Sequence, residues 1–142
     1  MTINQVREYL SRYKYLHIEI MAKTNEIQQI KERAQSINSL DYSTDRVQTS
    51  KKREAKFEEL MCKAIDMELI SLDDLNKLYD TKREIEEIID KVSDSKQRII
   101  LMLLYINDKK IYEIAEMLNY DSATISRIHN KALRTVQNKL NN

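Results

Sequence analysis

Between residues 110 and 140, apolar positions recur at helical spacing on both sides of a short polar break. Ile111, Ile114, Ala115 and Leu118 fall at i, i+3, i+4 and i+7, the stripe of an amphipathic helix. Asn119-Tyr120-Asp121 then interrupts the pattern. Asparagine tolerates the left-handed conformation that ends a helix, and Asp121 can accept from the free N–H groups of a new helix starting at Ser122. At about 100° per residue, Ile128, Ala132, Val136 and Leu140 lie within about 60° of Ile125 and predict its buried side. The opposite side carries Ala123, Arg127, Asn130 and Arg134, flanked by Thr124 and Lys131. A helix, a tight turn and a second helix with a basic, hydrogen-bonding outer face predict a helix-turn-helix, whose second helix enters the DNA major groove.

The rest of the chain also reads as helix, so the fold class is all-α. Ile3, Val6, Leu10, Tyr13, Ile20, Ile27, Ile30, Ala34 and Ile37 advance in steps of three and four with polar gaps, predicting one long helix over residues 2–36. A stripe this narrow cannot stabilise so long a helix alone, so it must pack on the second half of the chain or on another copy. Residues 38–50, without a period and rich in Ser, Thr, Asn and Asp, predict a linker. Phe57, Leu60, Met61, Ala64, Ile65 and Leu69 predict a helix over 50–69. Ser71, followed by Asp73 and Asp74, predicts an N-cap that opens a third helix over 72–92. Ser93 and Asp94 restart the chain into a helix whose residues 99–106 are apolar on every side, the mark of a core helix. The expected organisation is an N-terminal oligomerisation or packing helix (1–37), a linker (38–50), a two-helix acidic middle segment (51–92) and a helix-turn-helix domain (93–142).

Composition sharpens this picture in three ways. Glycine and proline are both 0, which favours helix nearly throughout and makes a glycine-rich phosphate loop impossible. No nucleophile with a neighbouring base is recognisable either, so an enzyme is not expected. The net charge of +1 is unevenly spread: seven cations face six anions in residues 1–50, eight face twelve in 51–90, and nine face five in 91–142. The cations thus concentrate where the second helix of the helix-turn-helix is expected. The single cysteine, Cys62, excludes an internal disulfide, and no apolar run approaches the roughly 18 residues needed to span a bilayer. A cytoplasmic protein without cofactor or metal is expected.

Other candidate chemistry has a plainer reading beside it. Tyr9 and Tyr13, near Arg12 and Lys14, suggest a base-stacking surface, but aromatics four apart on one helix face also pack. Lys51-Lys52-Arg53 are phosphate-binding candidates, yet Glu54, Glu58 and Glu59 beside them fit a solvated helix start. Glu84, Glu86, Glu87 and Asp90 read as solvent charges rather than an acid and base pair or a magnesium site. His17 reads as a polar break in the stripe. His129, about 40° from Ile125 on the helical wheel, reads as a core or flanking histidine rather than a ligand.

Residues 94–140 resemble region 4 of bacterial sigma-70 factors, in the variant carried by small phage-encoded late-gene activators. The matching residues are the apolar run from Ile99 to Ile106, then Ile111-Tyr112-Glu113-Ile114-Ala115-Glu116-Met117-Leu118, then Ser122-Ala123-Thr124-Ile125-Ser126-Arg127-Ile128 and Lys131-Ala132-Leu133. Asn119 stands where that family usually has glycine. Nothing resembles the promoter-melting region 2, so a stand-alone sigma factor is not expected. The resemblance implies a transcription regulator of phage or mobile-element genes in a bacterial host cell, binding double-stranded DNA and acting with RNA polymerase. Ser122, Ala123, Thr124, Ser126, Arg127, Asn130, Lys131 and Arg134 are the expected DNA-binding residues, and a homo-oligomer, with a dimer favoured, is the expected assembly. Two other readings are a polymerase-binding module acting by protein contact and a small terminase-like subunit of phage DNA packaging.

Overall fold

A computed structural model describes residues 1–38 and 47–142. It is all-α: helices α1 (Ile3–Asn38), α2 (Val47–Asp90), α3 (Ser95–Tyr105), α4 (Ile111–Leu118) and α5 (Ser122–Asn141), with no strand among the described residues. Two compact units form, one from residues 1–17 and 77–142 and the other from residues 18–76. This division differs from the expected one, because the C-terminal part of α2 and the start of α1 belong with α3, α4 and α5.

The first unit has two adjoining apolar clusters. In the larger, Val6 and Leu10 of α1, Ile85 and Ile89 of α2, Val92, Leu101 of α3 and Ala132, Leu133 and Val136 of α5 are all buried. In the smaller, Ile100 of α3 meets Ile114 and Ala115 of α4 and Ile125 of α5. Successive residues of α3 therefore feed different clusters, which is why residues 99–106 read as apolar on all sides. Ile99 is the exception, at 43% exposure. Asp94 caps α3 by accepting from the backbone N–H of Lys96 and Gln97, as its position suggested.

Tyr9 and Tyr13 pack against the larger cluster and so serve packing. The Tyr9 hydroxyl donates to Glu84 Oε1 at 2.7 Å, and Arg12 pairs with the same carboxylate at 3.2 Å. Burial, reinforced by Glu84, pushes Tyr9 up to about 12, while the Tyr9 hydrogen bond and then Arg12 hold Glu84 below the usual carboxylate range. Glu84 is thus a tether between α1 and α2 rather than one more solvent charge of an acidic face.

Two expectations fail in α2. The helices expected over 50–69 and 72–92 are one continuous helix, and Ser71 is no N-cap. Its hydroxyl donates back to the Met67 carbonyl at 2.9 Å, the bond a serine makes inside a helix. Leu75 and Leu78 carry the apolar period across this point, and no proline or glycine stops it. Asp74 pairs with Lys23 at 2.9 Å instead of serving a helix start. The expected linker is also shorter, because α1 runs to Asn38 and α2 begins at Val47. Its central part, residues 39–46, lies outside the described residues.

The second unit buries Ile20, Ile27 and Ala34 of α1 together with Leu60 and Ala64 of α2. Lys23 pairs with Asp74 and Lys31 with Glu68. Rising numbers on α1 meet falling numbers on α2, so the two helices run antiparallel. Much of the α1 stripe is therefore buried within the chain: Val6 and Leu10 in the first unit, Ile20, Ile27 and Ala34 in the second.

Because Leu10 is fully buried beside residues of α5, Leu10→Ala is expected to destabilise the first unit by about 2–5 kcal/mol, much as Leu133→Ala should. Urea unfolding of both variants measures this. A Leu10→Ala loss below about 0.5 kcal/mol, within the range of a surface substitution, would place the start of α1 outside the core.

Candidate nucleic-acid interface

The junction between α4 and α5 follows from local backbone chemistry. Asn119 adopts φ 57° and ψ 41°, the left-handed region that asparagine tolerates better than other side chains. That reversal lets the Tyr120 N–H reach the Ala115 carbonyl at 3.0 Å, satisfying an acceptor at the end of α4. Asp121 then caps α5, its Oδ1 accepting from the Thr124 N–H at 2.9 Å. The hydrogen bonds with Thr124, and to a lesser degree the nearby Arg127 charge, hold the Asp121 carboxyl below its usual range. A negative charge fixed over the first turn also suits the positive end of the helix dipole. Asp108, before α4, is the other left-handed residue among those described, at φ 54°, and pairs with Lys14 at 3.2 Å.

Helix α5 divides sharply. Ile125, Ala132, Leu133 and Val136 are buried, and Ile128 and Leu140 pack partly against the two clusters. Leu133, which the wheel count left off the inner face, is fully buried because α1 and α2 cover α5 as well as α3 does. On the other side Ser122, Ala123, Arg127, Asn130, Lys131 and Arg134 are exposed, while Thr124 and Ser126 are half-buried. The eight expected residues therefore share one helix. Six are open to solvent, and Thr124 and Ser126 lie at the edges of that face. Thr135 donates to Gln97 Oε1 at 2.8 Å, tying α5 to α3.

Arg7 is the residue the sequence reading missed. It lies on α1, and its Nη2 donates to Asn130 Oδ1 at 3.2 Å. The Asn130 amide is thereby oriented with its oxygen toward Arg7, leaving its NH2 group as the free donor. A cation from the other end of the chain thus joins the polar face of α5. Only packing of α1 along α5 creates that proximity, so no local sequence signal announced it. The same strip of contact includes the Gln137 side chain donating to the Met1 carbonyl at 2.7 Å. A second cation, Lys96 at the start of α3, lies 5.5 Å from the Tyr120 ring, beside the turn that leads into α5.

His129 is half-buried, and its Nε2 shares a 2.7 Å hydrogen bond with the Tyr105 hydroxyl. Burial first, and then the Arg7 charge, lowers His129 to about 4, while burial pushes Tyr105 up to about 12. Both groups are neutral near pH 7, and the pair acts as a polar pin at the edge of the core. Among the described residues no group of three His, Cys, Asp or Glu is placed to hold a metal ion, and no helix is long and apolar enough to cross a membrane.

The turn and the pin each make a measurable prediction. Asn119→Gly should be neutral or mildly stabilising, whereas Asn119→Val should cost on the order of 1 kcal/mol or more, because a β-branched side chain clashes at positive φ. Equal melting temperatures for the two variants would remove the role assigned to the turn. For His129, a folded pKa of about 4 lies below the ordinary 6.5, so the unfolded chain binds the extra proton as pH falls. Its contribution to stability is complete above about pH 6.5, declines from there to about pH 4, and then levels off. The melting temperature of His129→Gln should accordingly fall less than that of the parent between pH 7 and pH 5.5. Parallel pH profiles would show that this histidine is not held neutral.

Searches of curated proteins and of solved structures find no match to this chain. The model of one protein family, described as a protein of unknown function (DUF1492), matches residues 36–137, more than two thirds of the sequence. The match spans α2, α3 and α4 whole and nearly all of α5. The chain belongs to the DUF1492 family.

Proposed function

We propose that this protein binds double-stranded DNA in a sequence-specific manner through α5 and thereby regulates transcription. The observation that carries the reading is the two-sidedness of α5. Its apolar face is locked into the core while Ala123, Arg127, Asn130, Lys131 and Arg134 stand in solvent on a helix that follows a tight left-handed turn. That is the arrangement a recognition helix needs, because the groove-facing side chains must be free while the backbone that aims them is fixed. The resemblance of residues 94–140 to sigma-70 region 4 points the same way. It also supplies the expectation that the protein acts with RNA polymerase, as an activator of phage or mobile-element genes.

The face divides its work by position. Ser122, Ala123, Thr124, Ser126 and Arg127 lie in the first two turns, the part that meets base edges when such a helix enters the major groove. Arg127 supplies the planar donor fork that pairs with guanine O6 and N7. Lys131 and Arg134, further along, reach phosphate, which positions a protein on the duplex without reading sequence. Arg7 adds a cation beside Asn130, so the start of α1 contributes to the field that attracts the duplex.

Arg127→Ala is therefore expected to lose roughly 1–3 kcal/mol against the true site and little against random DNA. Lys131→Ala and Arg134→Ala should weaken both equally and reduce the salt slope by about one unit each. The site is first recovered by selecting bound duplexes from a random pool. Titrations of the three variants against selected and scrambled duplexes at several salt concentrations then decide the matter. If all three keep both affinities of the parent, α5 does not bind DNA, and action by protein contact becomes the better reading.

A further inference from the structure

Asn130 stands in the middle of the polar face of α5. Counted at about 100° per residue, Arg127, Asn130 and Arg134 fall within about 60° of one another, so the amide lies on the same exposed ridge as both arginines, about one turn beyond Arg127. Helix α1 meets this ridge from the side, where Arg7 Nη2 donates to Asn130 Oδ1 at 3.2 Å. Other cations of α1 face carboxylates: Arg12 pairs with Glu84 and Lys14 with Asp108. Arg7 is turned to a neutral amide instead. That bond decides what Asn130 can offer a base. A guanidinium carries donors only, so an amide beside it must present its oxygen, and the NH2 group is the part left free to meet a ligand.

We propose that Arg7 is a positioning residue for sequence recognition: it fixes the Asn130 amide so that α5 reads guanine, not adenine, at the base pair Asn130 faces. This rests on the reading of α5 as a DNA-recognition helix and adds to it the base at one position and the residue that selects it. An asparagine reads adenine with both ends of its amide, the oxygen accepting from N6 and the nitrogen donating to N7. With the oxygen held by Arg7, that two-point contact is lost, and a positive charge stands beside the place the N6 donor would take. Guanine makes the opposite demand. Its N7 and O6 are both acceptors, which suit a free NH2 group with a cation at its side. Thymine offers one acceptor beside a methyl group and cytosine only a donor, so both are poorer matches. The bond between Arg7 and Asn130 is exposed, so it biases the amide rather than locking it, and the base completes the choice.

The test is selection of duplexes from a random pool by the full chain, by Asn130→Ala and by Arg7→Met, followed by titration of duplexes that differ only at the position so identified. Asn130→Ala marks that position, as the one where base preference disappears. The parent is expected to favour guanine over adenine there by about fivefold or more, the lower end of what one good base contact discriminates. Arg7→Met keeps the aliphatic bulk of an exposed side chain but has no donor, and it is expected to bring the ratio below about twofold or to reverse it toward adenine. Should Arg7→Met lose helical content, Arg7→Ala takes its place with the same expectation. Loss of a cation by itself weakens both duplexes alike, so the ratio separates positioning from simple attraction. Adenine at the marked position in the parent, a ratio that Arg7→Met leaves unchanged, or an Asn130→Ala variant that relaxes no position overturns the inference. In each of these cases Arg127→Ala can still relax a different position, which leaves the DNA-binding reading standing. A parent that enriches no sequence removes both.

Discussion

Leu133 and Val136 near the end of the chain share one buried cluster with Val6 and Leu10 near its beginning, and the first unit depends on that contact. Closing so long a loop costs conformational entropy, but the cost grows only with the logarithm of length. Burying a single leucine or valine contributes about 1.5–3 kcal/mol, so four such side chains more than offset the increment. The consequence is mechanical as well as energetic. Helix α5 is gripped by α1 and α2 as well as by α3 and α4, which fixes the direction in which its outer face points. A helix held this way presents Arg127, Lys131 and Arg134 without first having to order its backbone, and such preorganisation would reduce the entropic cost of the DNA binding proposed for it.

The electrostatics of the first unit follow from the same packing. Glu84 is tied to Tyr9 and Arg12, and Asp108 to Lys14, so two carboxylates are matched by cations of α1. Arg7 instead donates to the neutral Asn130, and its charge also bears on the half-buried pair of Tyr105 and His129. Protonating His129 would set a second cation beside Arg7 in a partly desolvated place, which is why the neutral imidazole is favoured there. One arginine thus adds positive charge to the polar face of α5 and helps to keep the His129 imidazole beneath it neutral.

The second unit is built differently. Among the described residues five of α1 and α2 are buried between the helices, and the ion pairs beside them are partly open to water. Such pairs contribute little stability but do discriminate between alignments, because a shifted register would place Lys23 and Lys31 away from Asp74 and Glu68. What stabilises this unit is a narrow apolar seam, and the flank of exposed aliphatic residues beside it is where further burial is available.

Much of this protein is written locally in its sequence. The absence of glycine and proline, the three-and-four spacing of apolar residues, and Asn119 and Asp121 at the turn determine an all-α chain, the boundaries of α4 and α5, and which side of α5 faces inward. These are effects of neighbouring residues, and nearest-neighbour physics makes them legible. The same reasoning misplaced Ser71, because a serine followed by acids signals a helix start only when the apolar period also breaks, and here Leu75 and Leu78 continue it. Tertiary structure alone decided the rest. It joined the start of α1 and the end of α2 to the C-terminal helices, buried Leu133 on a flank the wheel left open, and brought Arg7 to Asn130. Those outcomes depend on which helices meet and at what register, and contacts between the two ends of a chain leave no periodic trace in either.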